Sequence, residues 1–278
     1  ENILQNQQNA EVRTMLEIKN IYKTFNPGTI NEKVALNGLS LKLNEGDFVT
    51  VIGGNGAGKS TMLNAVAGVW PVDEGQILID GTDVTKLSEY KRAAYLGRVF
   101  QDPMTGTAAT MGIEENLALA KRRGKARVLR PGITKAERAE YQELLKILDL
   151  GLEDRLTSKV GLLSGGQRQA LTLLMATLQK PKLLLLDEHT AALDPKTASK
   201  VLTITDKIVN RDHLTTLMIT HNMKDAIAHG NRLIMMMNGK IVLDIQGEEK
   251  KKLTVKQLLD KFEEASGEEF SNDSAILG

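Results

Sequence analysis

The chain has 278 residues, of which 41% are hydrophobic, and this is enough for the core of one large domain or two small ones. Lys and Arg number 36 against 35 for Asp and Glu, and a net charge of +1 argues against a dedicated nucleic-acid binder. The sequence has no Cys, which excludes disulfides and thiolate metal sites, and its apolar runs are far shorter than the ~20 residues that a membrane-spanning helix needs.

The first 14 residues are polar and lack the basic and then apolar pattern of a signal peptide. We interpret residues 1–14 as an extension outside the fold, either native or added, with Met15 as a candidate native start. The next segments, 16–25 and 34–43, alternate apolar and polar residues. A period of two predicts antiparallel strands, and hence a small N-terminal β-subdomain.

The segment from Gly53 to Thr61 reads GGNGAGKST and lies between a strand-like run, 48–53, and a helical pattern, 59–67. A phosphate-binding loop requires this strand-loop-helix context. Its glycines let backbone N–H groups converge on a phosphate, Lys59 reaches the β- and γ-phosphates, and the Ser60 hydroxyl can ligate Mg²⁺. The predicted nucleotide-binding residues are Gly53, Asn55, Gly56, Ala57, Gly58, Lys59, Ser60 and Thr61.

Between Gln101 and Ser164 the strand-like pattern stops. Thr134 and Glu137 form a predicted capping box before a helix whose apolar residues share one face. We therefore predict an inserted helical subdomain at about 102–166. Within it, residues 121–130 carry six cations, which is typical of a solvated loop, and a contact with a partner or with lipid headgroups stays open as the alternative.

Residues 183–187, LLLLD, predict a buried strand that ends in Asp187 and is followed at once by Glu188. At the carboxyl edge of a sheet, Asp187 is placed to hold Mg²⁺ through water and Glu188 to orient or deprotonate an attacking water. Helical patterns at 195–210 and 223–229 alternate with a third strand-like run at 215–220. This alternation predicts an α/β fold with a parallel sheet. Residues 246–278 are charged and predict a tail with one short helix at 255–264.

Four further motifs decide the class. The sequence LSGGQ at 163–167 resembles the signature of ATP-binding cassette (ABC) proteins, FQDP at 100–103 their Gln-loop, ALD at 192–194 their D-loop and ITHN at 219–222 their switch histidine. Order and spacing match as well, over roughly residues 15–245. The resemblance implies an ATP hydrolase with a P-loop NTPase (RecA-like) core, an N-terminal antiparallel β-subdomain and an inserted helical subdomain.

In the family that this chain resembles, two cassettes stack head to tail, and each ATP lies between one phosphate loop and the partner's signature segment. The resemblance thus implies an ATP-dependent homodimer that uses ATP and Mg²⁺. It implies catalytic roles for Glu188, His221, Lys59 and Gln101, and metal ligation by Ser60, Gln101 and Asp187. From the signature and the D-loop it implies nucleotide contacts by Ser164, Gly165, Gly166, Gln167 and Asp194.

Adenine recognition in the family comes from an aromatic ring upstream of the phosphate loop. Phe25 is the candidate, and Tyr22 is the alternative, because an aromatic residue three positions away could equally be a core side chain. The sequence departs from the family pattern at Gly54, where Pro is common, and at His189 and Ala191, where Pro and Ser are common. None of these departures removes a catalytic group. The histidines interpreted as structural are His189, His213 and His229.

Three functions compete: transporter ATPase, ribosome-acting cassette protein, and chromosome or repair ATPase. Ribosome-acting members normally carry two cassettes on one chain and repair members insert long coiled coils, and this sequence has neither pattern. The resemblance thus implies a peripheral subunit on the cytoplasmic face of a membrane, paired with separate permease subunits. Import of a small solute such as an amino acid, with a solute-binding protein, is favoured. Export is the alternative, and the neighbouring genes would distinguish the two directions.

Overall fold

The structure is a computed structural model that describes residues 13–125 and 132–266, and its N-terminal part is a four-stranded antiparallel sheet. Its strands are β1 (Thr14–Phe25), β2 (Lys33–Asn44), β4 (Glu74–Ile79) and β5 (Thr82–Asp83). They lie in the order β2-β1-β4-β5. Leu39, Leu41 and Leu43 of β2 are buried, as the alternating pattern predicts. The predicted antiparallel β-subdomain is confirmed.

A six-stranded sheet forms the second layer of strands. Its strands are β3 (Phe48–Ile52), β6 (Leu96–Val99), β7 (Leu183–Asp187), β8 (Thr216–Ile219), β9 (Arg232–Met237) and β10 (Lys240–Gln246). The order is β10-β9-β3-β8-β7-β6, and all neighbours are parallel except β10, which pairs antiparallel with β9. Every residue of β3 and β8 is buried, as expected for strands covered on both faces. The predicted parallel α/β core is confirmed.

Five helices of the described chain lie outside the inserted region and before β9. They are α1 (Lys59–Ala67), α2 (Glu89–Arg92), α5 (Gly165–Thr177), α6 (Pro195–Asp212) and α7 (Met223–Ala228). α5 packs against α6 and β6, and α7 packs against β3. Because α1 follows β3 directly and α6 follows β7, the loops at the carboxyl edge of the sheet carry the phosphate-loop glycines and Glu188.

The region between β6 and α5 is helical, as predicted. It contains α3 (Ile113–Lys121), α4 (Lys135–Lys146) and a short 3₁₀ helix (Val160–Leu162). Thr134 caps α4 through the predicted box: its Oγ1 accepts from the Glu137 N–H at 3.1 Å, and the Glu137 carboxylate accepts from the Thr134 N–H at 2.9 Å. Tyr141 and Leu145 of α4 are fully buried in a cluster that also contains residues of α5 and α6. The inserted helices therefore share a core with the helix that follows the LSGGQ segment.

The charged segment after β10 folds onto the sheet. It forms α8 (Gly247–Lys252) and α9 (Val255–Ser266), the second of which matches the predicted helix at 255–264. Lys250 of α8 is 2% exposed, and its Nζ donates to the carbonyl oxygens of His229 and Gly230, the latter at 3.1 Å. Leu258 of α9 is buried. The chain thus continues its packing beyond β10 rather than leaving the domain at that point.

Some predictions fall outside the described residues: almost all of the 1–14 extension, the end of the tail after 266, and residues 126–130 of the basic run. From the described part of the basic run, Lys121 forms an ion pair with Glu140. Across 13–125 and 132–266, no helix is long and apolar enough to cross a membrane.

Candidate active site

The phosphate loop joins β3 to α1 and is shaped by its glycines. Gly53 has φ +148° and Gly58 has φ +101°, both in the region that favours glycine. A Cβ atom on Gly53 would lie 2.2 Å from the Met236 carbonyl oxygen, and one on Gly58 would lie 2.5 Å from the Ala35 carbonyl oxygen. Since neither position tolerates a side chain, the loop can pack against β2 and β9 and present its backbone N–H groups at the start of α1.

Lys59 is the cation of this loop and is only 7% exposed. Its Nζ donates to the carbonyl oxygens of Gly53, at 2.7 Å, and Gly54, at 3.2 Å. Burial lowers the pKa of the Lys59 ammonium, and the nearby carboxylates of Glu188 and Asp187 oppose that shift. The side chain is therefore held inside the loop, next to the acidic residues, where a phosphate chain would meet it.

A cavity of about 230 Å³ lies over the loop. Its other walls are Phe25, Lys33, Ala35 and Glu188. The Phe25 ring packs edge-on against Trp70, with 5.0 Å between ring centroids and 81° between planes, which fixes its orientation. Tyr22 does not line this cavity among the described residues and is 39% exposed. Of the two aromatic candidates, only Phe25 lies beside the phosphate loop.

The acidic pair stands at the end of β7. Asp187 has its pKa raised by burial, and the guanidinium of Arg98, whose Nη2 lies 3.5 Å from Oδ2, opposes the rise. Glu188 has φ +46°, a left-handed conformation that costs a non-glycine residue on the order of 1 kcal/mol or more. The Glu188 side chain lines the cavity, and its Oε2 lies 3.4 Å from Nδ1 of His221, which lines a second cavity that also reaches Glu188. Strain is thus maintained at the residue that was predicted to be the base.

The oxygen donors predicted for Mg²⁺ are the hydroxyl of Ser60, which lines the cavity together with Thr61 and Glu188, and the carboxylate of Asp187, which does not line it among the described residues. Both are hard oxygen ligands, the kind that Mg²⁺ prefers together with phosphate oxygens and water. These residues fit the predicted metal. Gln101, the third predicted ligand, is exposed at the start of the helical insertion and does not line the cavity among the described residues.

The LSGGQ segment begins α5. Ser164 is the N-cap of that helix: its Oγ accepts from the Gln167 N–H at 3.3 Å, and Gln167 Oε1 accepts from the Ser164 N–H at 3.1 Å. Gly166 is buried, and a Cβ atom there would lie 2.1 Å from Cγ2 of Thr197. Ser164 and Gly165 are exposed and do not line the cavity of their own phosphate loop within the part of the chain that is described. The structure therefore does not bring these two predicted groups together within one chain.

Asp194 and the remaining histidines have local partners. Asp194 caps α6, its Oδ1 accepting from the Thr197 N–H at 3.1 Å, and the hydrogen bonds with Thr197 lower the pKa of Asp194. His189 is fully buried with Nε2 3.1 Å from Thr205 Oγ1, and burial lowers its pKa to about 4. His229 lies 2.7 Å from an Asp206 carboxylate oxygen. His213 ends α6 in the left-handed conformation. The structural roles of the three histidines stay a prediction, and His229 also lines a cavity together with Glu188 and His221.

Two cations at the site, Lys33 and Arg98, were not predicted from the sequence. Lys33 of β2 lines the cavity, and its Nζ lies 3.3 Å from the position of a Cβ atom on Gly56. Arg98 of β6 contacts Asp187 and donates to Asn64 Oδ1 at 2.7 Å. An arginine within the strand sequence LGRV is the signal that could have found Arg98, because cations are seldom buried in a sheet without a partner.

Comparison with known proteins gives the same family from sequence and from structure. The family model described as "ABC transporter" matches residues 36–191. A tyrosine transport ATP-binding protein of Clostridioides difficile is 48% identical over 256 residues, which cover 90% of this chain and all of that protein. A methionine import ATP-binding protein of Corynebacterium diphtheriae is 36% identical over 235 residues, which cover 82% of this chain and 65% of that protein.

Two solved structures are similar over most of the chain. The ADP conformation of MJ1267, an ATP-binding cassette of an ABC transporter, has a TM-score of 0.72 and 27% identity, with 90% of this chain and 98% of that chain covered. A dimeric post-hydrolysis state of the ATP-binding cassette MJ0796, bound to ADP and Pi, has a TM-score of 0.70 and 30% identity, with 84% and 98% covered. The phosphate loop, the acidic strand end and the LSGGQ helix, together with these matches, show that the chain belongs to the ABC transporter family and is an ATP-binding subunit that hydrolyses ATP.

Proposed function

We propose that the chain supplies the energy for import of an amino acid through a separate permease, and that tyrosine is the first substrate to test. The observation that carries this proposal is the 48% identity to a tyrosine transport ATP-binding protein over that protein's full length. The methionine relative is also named as an import protein, and so is a spermidine/putrescine import ATP-binding protein of Haemophilus ducreyi, which is 34% identical over 84% of this chain and 58% of that protein. These names support the direction of transport.

The proposed chemistry is attack of water on the γ-phosphate of ATP. Lys59 binds the β- and γ-phosphates, and the backbone N–H groups of the loop bind the β-phosphate. Phe25 stacks on adenine. Ser60 and Asp187 would hold Mg²⁺, which would supply positive charge against the phosphate chain. Phe25, Lys59 and Ser60 line the cavity, and Asp187 is close enough to Lys59 to influence its pKa, which supports these roles.

Glu188 is the proposed base. Its carboxylate lines the cavity and lies 3.4 Å from His221, so the two side chains can hold one water between them and the γ-phosphate. His221 is 53% exposed and free to contact a phosphate oxygen. Gln101 is proposed to join the site when the helical insertion moves towards the core, since it is exposed and stands at the base of that insertion.

The proposed assembly is a head-to-tail homodimer. The exposed Ser164 at the N-terminus of α5 would face the γ-phosphate on the partner's loop, where its hydroxyl and the N–H groups of Gly165 and Gly166 stabilise negative charge. Ser164 and Gly165 do not line the cavity over their own phosphate loop in the described part of the chain, which supports an arrangement in which each ATP is held by both copies. Permease subunits and a solute-binding protein would complete the importer, with this chain at the cytoplasmic face of the membrane.

The test is uptake of labelled amino acids by cells of the source organism in which the gene is deleted and then restored. Restoration with the parent is expected to recover tyrosine uptake, whereas restoration with Glu188→Gln is not, because permease and binding protein are present but ATP is not turned over. Methionine and spermidine uptake serve as specificity controls. Unchanged uptake of every tested solute in the deletion strain, together with accumulation of a preloaded solute, would instead assign the chain to an exporter.

A further inference from the structure

Arg98 connects parts of the active site that lie on different elements. Its side chain is 14% exposed and extends from β6 towards the carboxyl edge of the sheet. Nη2 donates to Asn64 Oδ1 at 2.7 Å and lies 3.5 Å from Asp187 Oδ2. Asn64 belongs to α1, the helix that begins with Lys59. One guanidinium nitrogen therefore contacts both the phosphate-loop helix and the acidic end of β7.

The same guanidinium also contacts the start of the helical insertion. The Arg98 Cζ lies 4.6 Å from the centroid of the Phe100 ring, which is a cation–π geometry. Phe100 directly precedes Gln101, and its carbonyl oxygen accepts from Gln169 Nε2 at 2.8 Å. Gln169 is fully buried on α5, the helix that carries Ser164 at its N-terminus. The position of Phe100 is thus set from one side by Arg98 and from the other by the LSGGQ helix.

We propose that Arg98 is a positioning residue for ATP hydrolysis, which holds the Asp187 carboxylate in place and ties it to Phe100 at the base of the helical insertion. The proposal rests on the nucleotide site described above and adds a residue that acts through Asp187 and Phe100 without touching ATP. The guanidinium is needed because Nη2 contacts Asn64 and Asp187 while Cζ lies over the Phe100 ring. A lysine ammonium at this position can keep the charge but cannot make both contacts.

The experiment compares Arg98→Met and Arg98→Lys with a matched control, Arg232→Met. Arg232→Met controls for the general destabilisation caused by removing an arginine. The Arg232 side chain is also 14% exposed and pairs with a carboxylate, Asp244, outside the cavity. Thermal unfolding of each variant is measured first. ATP affinity is then measured at equilibrium with Mg²⁺ and with EDTA, and kcat and KM are measured with saturating Mg²⁺.

For Arg98→Met we expect kcat to fall by about 10- to 100-fold, the range found when a residue that orients a metal ligand is lost. ATP affinity in EDTA should stay within about 2-fold of the parent, whereas the gain in affinity on adding Mg²⁺ should shrink by about 10-fold. Arg98→Lys should recover part of the Mg²⁺ effect and little of kcat, because it restores charge but not the stacked geometry. Arg232→Met should match the parent in both readouts.

Phe100→Leu tests the contact between Arg98 and Phe100 while Arg98 stays in place. It also keeps the proposal testable if Arg98→Met does not fold. Phe100→Leu should lower kcat while leaving the effect of Mg²⁺ on ATP affinity unchanged. In the double variant, the decrease in kcat should be no larger than in Arg98→Met alone. The proposal is overturned if Arg98→Met keeps parental kcat and Mg²⁺ dependence, or if Phe100→Leu is silent. If the Lys59→Ala variant keeps the ATP affinity of the parent, the proposed nucleotide site itself is overturned, and not only the role of Arg98.

Discussion

The substitution Glu188→Gln tests the proposed base by a change that preserves shape. Glu188 is 20% exposed at the cavity, with Oε2 3.4 Å from His221. Glutamine keeps the length and can still accept a hydrogen bond from water, but it cannot take a proton. Loss of a general base lowers turnover by about 10²- to 10⁴-fold, which corresponds to about 3–5 kcal/mol in the activation free energy.

The same substitution should not harm folding. The left-handed backbone at φ +46° stays equally strained, since glutamine also carries a Cβ atom. Removal of one of two adjacent negative charges relieves repulsion with Asp187, whose pKa burial has already raised. The free energy of unfolding should therefore be equal to or slightly above that of the parent, and ATP affinity should not fall.

The assay combines steady-state phosphate release with size-exclusion chromatography in Mg-ATP. Glu188→Gln should be a slow enzyme that elutes as a dimer, because the closed pair reopens only after hydrolysis, while the parent elutes mostly as a monomer. Glu17→Gln is the control: this carboxylate lies in β1 away from the cavity, is 34% exposed and pairs with Lys19. Parental turnover by Glu188→Gln without a dimer would refute the assignment of the base.

Further predictions concern nucleotide binding and pH. Lys59→Ala should weaken ATP binding strongly and abolish turnover with the fold retained, as seen by calorimetry and circular dichroism. Phe25→Ala should weaken ATP binding by about 5- to 100-fold through loss of stacking, while Tyr22→Ala should change it little; the reverse order in a titration would assign the adenine contact to Tyr22. For Lys250, burial lowers the pKa to about 8, so the unfolded chain binds more protons between about pH 8 and 10.5. The parent should therefore gain stability relative to Lys250→Met as the pH rises through that window, by on the order of 2 kcal/mol in the free energy of unfolding. A difference between the two proteins that does not change with pH in denaturant melts would contradict the buried charge.

Local patterns predicted the elements that position the site. The phosphate loop, the apolar strand before Asp187 and the capping box at Thr134 are each defined by neighbours in sequence, and the structure has them within a residue or two of the predicted bounds. The predicted start of α1 at Lys59 is the start in the structure. Such features are readable because backbone geometry and capping depend on residues a few positions apart.

Features that depend on tertiary packing could not be read in this way. Tyr22 and Phe25 are three residues apart in β1, whose pairing with β2 shifts register between Ile21 and Tyr22 and again between Lys23 and Thr24, so alternation alone cannot say which ring faces the cavity. Lys250 lies in the sequence GEEKKK, and its burial is set by carbonyl groups about 20 residues earlier.

The position of Gln101 depends on a different kind of information. It is exposed in a single chain, and its predicted roles require a movement of the helical insertion or the presence of ATP. The contacts of Arg98 with Asn64 and Asp187 join residues 34 and 89 positions apart. Residues so far apart in sequence cannot be paired from a local pattern, although the single cation in β6 indicates that a partner is needed there.

The most direct test of the composite site is a mixing experiment with two inactive variants. Lys59→Ala lacks a working phosphate loop, and Ser164→Arg lacks a working signature segment. Thr134→Arg removes the same kind of N-cap from α4 and therefore controls for the loss of helix stability. In the mixed dimer, the intact loop of one chain meets the intact LSGGQ of the other. Each variant alone should be inactive, and an equimolar mixture should recover up to about a quarter of parental ATPase activity, since half the dimers are mixed and each has one complete site. A mixture that shows only the sum of the separate activities, with Ser164→Arg alone hydrolysing ATP at the parental rate, would contradict the account.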